Sequence, residues 1–130
     1  EIGVRLVGSE MCIRDRYEAY GGLQNDGIML AVYYDVDAAK IIHQLDSWEK
    51  INDSPTISSI LKNVSSYFGL DFVIPEIASG NFFLYDNSQH KELRSEAEMN
   101  TLLLHSEDVN FSLVVWDDEK HTIYIVEYRI

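Results

Sequence analysis

The stretch Val109–Ile130, VNFSLVVWDDEKHTIYIVEYRI, reads as a β-hairpin and decides the fold class. Val109–Trp116 and His121–Ile130 are rich in β-branched and aromatic residues, and they flank Asp117-Asp118-Glu119-Lys120, a polar run suited to a turn. With Trp116 set opposite His121, Val109, Phe111, Leu113 and Val115 share a face with Thr122, Tyr124, Val126 and Tyr128. That face is almost wholly apolar and must meet helices. The reverse face carries Asn110, Ser112 and Glu127 at one end and Val114, Trp116, Ile123 and Ile125 at the other. Its apolar end is left for a partner or another strand to cover.

Working back from the hairpin, Ser95-Glu96-Ala97-Glu98 is a capping box in which the serine and Glu98 satisfy each other's end amides, so a helix is expected from Ser95 to about His105. Asn81–Asp86 reads as a strand ending at Asn87-Ser88, and Asp71–Ile74 as a short strand broken by Pro75. Ser54-Pro55 starts a helix, because the serine oxygen accepts an orphan amide and proline at the first position has none to lose. Behind it Ile57, Ile60, Leu61, Val64, Tyr67 and Phe68 form an apolar stripe that stops at Gly69. Ala38, Ile41, Ile42, Leu45 and Trp48 recur at helical spacing and predict one amphipathic helix ending near Ile51. Ile28–Tyr34 precedes it as a buried strand, after turn signals at Gly21-Gly22 and Asn25-Asp26-Gly27. These elements predict an α+β sandwich: a mostly antiparallel sheet with about three helices packed on one face and a C-terminal β-hairpin.

Glu1–Arg16, EIGVRLVGSEMCIRDR, has a different character. Leu6–Arg16 is what one frame of a transposase-tagmentation adapter encodes, so residues 1–16 are expected to be a translated sequencing-adapter scar rather than natural protein. Residues 17–130 are then expected to form a single acidic domain, N-terminally truncated and of metagenomic origin. The scar holds three acids (Glu1, Glu10, Asp15) and three bases (Arg5, Arg14, Arg16), so the whole net charge of −12 belongs to the remainder. Cys12, the only cysteine, also lies in the scar, which removes disulfides, thiolate catalysis and cysteine-ligated zinc from the functions open to the domain. No apolar run approaches the roughly 20 residues needed to cross a bilayer, and a cytoplasmic location is expected.

Such acidity is repelled by phosphate and by anionic lipid, so neither nucleic acid nor a membrane is an expected direct partner, whereas encounter with a basic protein is accelerated. The same charge also serves solubility. Acids cluster at Glu96 and Glu98, at Glu107 and Asp108, and at Asp117, Asp118 and Glu119; the last two blocks flank one predicted strand.

Asp35-Val36-Asp37 follows a hydrophobic strand, and two carboxylates there could hold magnesium through oxygen. Over these few residues the arrangement resembles the first motif of haloacid-dehalogenase-type phosphotransferases. Where that family carries Gly-Thr after the second aspartate, this chain has Ala38-Ala39, and no later lysine and aspartate motifs follow. A helix N-cap with a second, dipole-favoured acid explains both aspartates without a metal and is the preferred reading. His43, His90, His105 and His121 fall on different elements without metal-ligand spacing, and neither a nucleophile elbow nor a phosphate-binding glycine loop is present.

The expectation is therefore a small non-enzymatic domain, without cofactor or metal, that binds a basic protein, with nucleic-acid-binding proteins among the expected partners. Inhibitors that occlude a nucleic-acid channel, encoded by phages or mobile elements, and immunity proteins that neutralise nuclease toxins share this physical description. The expected contact residues are Glu107, Asp108, Asp117, Asp118 and Glu119 for steering, with Trp116 and Tyr20, if exposed, as anchors. The alternatives are a structural subunit that self-associates through the hairpin and a small magnesium-dependent hydrolase using Asp35 and Asp37.

Overall fold

The structure, a computed structural model, describes residues 15–20, 27–68, 73–104 and 109–129. In chain order the elements are β1 (Asp15–Tyr20), β2 (Gly27–Tyr33), a 3₁₀ turn (Ala38–Lys40), α1 (Ile42–Ser47), β3 (Glu49–Lys50), a second 3₁₀ turn (Ile51–Asp53), α2 (Pro55–Phe68), β4 (Gly80–Asp86), β5 (Lys91–Leu93), α3 (Glu96–Leu104), β6 (Asn110–Asp117) and β7 (Thr122–Arg129). The strands make one seven-stranded sheet in the order β1-β2-β7-β6-β4, with β3 and β5 sharing the outer edge of β4. Every pairing is antiparallel. The fold is α+β and ends in the expected hairpin.

Alternation along the strands sorts side chains onto two faces. On the front face, Leu30, Leu84, Leu113 and Val126 are fully buried beneath α2 and α3, which contribute Ile57, Ile60, Leu61, Val64, Met99 and Leu102 to the same cluster. Leu61→Ala is expected to cost about 2 to 5 kcal/mol by urea titration, because it opens a cavity mid-stripe; a cost under about 1 kcal/mol would place that stripe at the surface.

The helix caps form as the sequence requires. Ile57 N–H donates to Ser54 Oγ at 3.2 Å, and Glu98 N–H to Ser95 Oγ at 3.1 Å, while Glu98 Oε1 accepts from Ser95 N–H at 3.2 Å. A tertiary cap joins the two helices, since Glu96 Oε1 accepts the Thr56 N–H at 3.3 Å. The Ser95 and Arg94 amides, with the Lys91 ammonium 3.3 Å away, pull the Glu98 carboxyl from 4.5 down to about 2. A depressed folded-state value gives stabilisation that is complete above the ordinary carboxyl range and fades as pH falls from about 4.5 through about 2. Wild type should therefore lose more stability than Glu98→Gln across that window, as read by urea midpoints at stepped pH. Parallel curves for the two proteins would contradict the capping role.

The first predicted helix is broken. Asp37 caps a single 3₁₀ turn by accepting the Ala39 N–H at 3.0 Å, Ile41 leaves helical geometry, and Trp48 is extended at the end of α1. The break has a tertiary cause. Trp48 and Ile41 are buried on the reverse face with Val36, Val114, Trp116, Ile123 and Ile125, whereas Ile51 joins the front cluster. The chain thus crosses the sheet edge at β3, and no continuous helix can serve both faces. Ile42, assigned to the apolar stripe, is 51% exposed. The segment from Val36 to Trp48 therefore covers the apolar end of the reverse face, which the sequence left to a partner or another strand. Two helices lie on the front and the short α1 lies behind.

Three short strands arise from pairing that no local pattern announced. β1 begins at Asp15, two residues before the boundary expected at Tyr17, and pairs with β2 in the register Asp15↔Val32 to Tyr20↔Gly27. A ladder is built from backbone N–H and C=O groups, so it extends across a composition boundary. β3 and β5 are added to β4, where Arg94 Nη1 bonds Ser47 O at 2.8 Å and Glu49 at 3.0 Å, and Nη2 meets Glu92 at 2.8 Å. Residues 73–77 form no strand, and Asp71 lies outside the described residues.

The hairpin register differs from expectation by two residues, with Trp116 opposite Ile123 and Asp117 opposite Thr122. The turn is Asp118–His121. Asp117 determines it by accepting the Glu119 and Lys120 amides at 3.0 and 3.2 Å, and His121 closes it with φ 50°. An even shift preserves the faces, so the amphipathic assignment stands. At the other end of the reverse face, Ser112 Oγ donates to Glu127 Oε2 at 2.5 Å, while Asn87 Nδ2 reaches Ser112 Oγ at 3.0 Å and Asn110 Oδ1 at 3.1 Å.

Candidate functional site

The hairpin turn meets two other segments at one end of the sheet. Val36 N–H donates to His121 O at 2.9 Å, and Asp118 N–H donates to Ser79 O at 2.9 Å. The loop after β2 and the segment before β4 are thereby held beside the turn. Asp35, Asp37, Glu76, Asp118 and Glu119, contributed by these three segments, are all exposed, as is Lys120 within the turn. The backbone bonds that gather them are independent of their charges, so the loops stay together while the carboxylates face water.

The expected contact residues separate into different roles. Asp118 and Glu119 are exposed in the turn. Asp117 is only 2% exposed and its carboxylate is spent on the turn amides. Burial, together with the Asp117 charge and Tyr34, pushes the Tyr124 hydroxyl up to about 12. Asp117 is a structural residue because its position in β6 points it to the front core rather than to solvent.

Trp116 is not an exposed anchor. It is 0% exposed, packed among Val114, Ile123 and Ile125, with its ring 5.6 Å from His121 and its indole N–H on Asp118 Oδ1 at 3.3 Å. The cause is the cover supplied by Val36, Ile41 and Trp48, which turns the open end of the reverse face into a second core. Tyr20 does not join the turn either. The ladder Tyr20↔Gly27↔Arg129↔Asn110 puts its backbone at the opposite end of the sheet. Glu107 and Asp108 lie outside the described residues.

Asp35 and Asp37 have local duties consistent with the capping explanation. Asp37 caps the 3₁₀ turn, and Asp35 adopts φ 54°, a left-handed conformation that aspartate tolerates better than most residues. Among the described residues, no group of three or more histidine, cysteine, aspartate or glutamate side chains is placed to hold a metal ion. His43, His90 and His121 are exposed on separate elements, and His105 lies outside the described residues.

Sequence reasoning missed Glu76, and it weighed Asp35 and Asp37 only as metal ligands or caps. No local signal could have joined them to the turn, since the joining bonds link residues far apart in the chain. Among the described residues no helix is long and apolar enough to cross a membrane. No protein family, curated protein or solved structure matches this chain.

Proposed function

We propose that this domain is a non-enzymatic binding protein of inhibitor or immunity type, whose acidic sheet end recognises a basic protein. The observation that carries the reading is the convergence of three segments at one end, where Asp35, Asp37, Glu76, Asp118 and Glu119 are exposed on a chain of net charge −12. Like charge brought to one sheet end by joined segments concentrates the negative potential there and accelerates encounter with a positive surface. Glu107 and Asp108 are a second acidic pair in the sequence and are proposed to act in the same sense.

The test compares association rates for an arginine-rich peptide as the basic probe, at about 0.05 and about 0.5 M salt. One variant carries Asp35→Asn, Glu76→Gln, Asp118→Asn and Glu119→Gln, and a second carries Glu107→Gln and Asp108→Asn. The first should associate about ten-fold more slowly than wild type at low salt and lose most of the salt dependence, with its melting temperature nearly unchanged. The second should show a smaller effect. Equal salt sensitivity in wild type and the first variant would sink the proposal and leave the charge to solubility.

A further inference from the structure

We draw no further inference here: the strongest candidate, the polar network of Asn87, Asn110, Ser112 and Glu127 at the polar end of the reverse face, carries nothing because nothing among the described residues shows what that end would meet.

Discussion

Trp116→Ala is expected to cost about 3 to 5 kcal/mol of stability, a large share of the roughly 5 to 15 kcal/mol that holds a domain of this size together. The indole is 0% exposed and is the largest fully buried side chain among the described residues, so its removal leaves a cavity lined by Val114, Ile123, Ile125 and the covering segment. Relaxation cannot close that space cheaply, because the sheet is fixed by its ladders on both sides of β6. Urea titration followed by circular dichroism measures the loss, and Trp116→Phe should recover much of it by refilling volume. An exposed binding anchor would behave in the opposite way: alanine would spare stability and weaken only a complex. Wild-type stability in Trp116→Ala would thus restore the anchor role and remove the second core.

Gly80→Ala should be nearly as damaging, at about 3 kcal/mol, although it adds a single methyl group. Gly80 starts β4 opposite Asp117, and a Cβ there would fall 1.9 Å from the Trp116 carbonyl oxygen and 3.1 Å from its carbonyl carbon. The obstacle is backbone, so no side chain can rotate away. Strand β4 or β6 must shift, and the shift would strain the neighbouring Asp118 N–H to Ser79 O bond that joins two segments of the acidic end. Differential scanning calorimetry should show a melting point lower by several degrees. An unchanged melting point would mean that the two strands do not approach each other this closely.

The two substitutions act on the same region for different reasons, and together they show how the acidic end depends on the core beneath it. Trp116 supports the turn from below through its ring contact with His121 and its bond to Asp118. Gly80 sets the close approach of β4 to β6. A lost response to the basic probe in either variant would therefore report displaced carboxylates, whereas the four-residue charge variant removes charge and leaves this support in place.

Local chemistry made much of the architecture legible. The capping box at Ser95 and Glu98, the Ser54-Pro55 start and the stripe through Leu61 and Val64 depend on contacts within a few residues, and all three are present in the structure. The two-residue alternation of β6 and β7 assigned their faces correctly even though the register was displaced, because an even shift leaves every side chain on its side. Tertiary structure alone decided what covers those faces. Helical spacing from Ala38 to Trp48 was a real pattern, yet Trp48 and Ile51 serve opposite faces of the sheet, and burial of both overrode helix continuity. The same long-range packing made Trp116 a core residue and gathered Asp35, Glu76 and Asp118 at one end. Sequence determined β2, β4, the two front helices, the hairpin strands and the charge, since propensity, capping and titratable groups act locally. The partnership of distant segments required the fold, because apolar area is buried and backbone groups are paired only once the whole chain is in place.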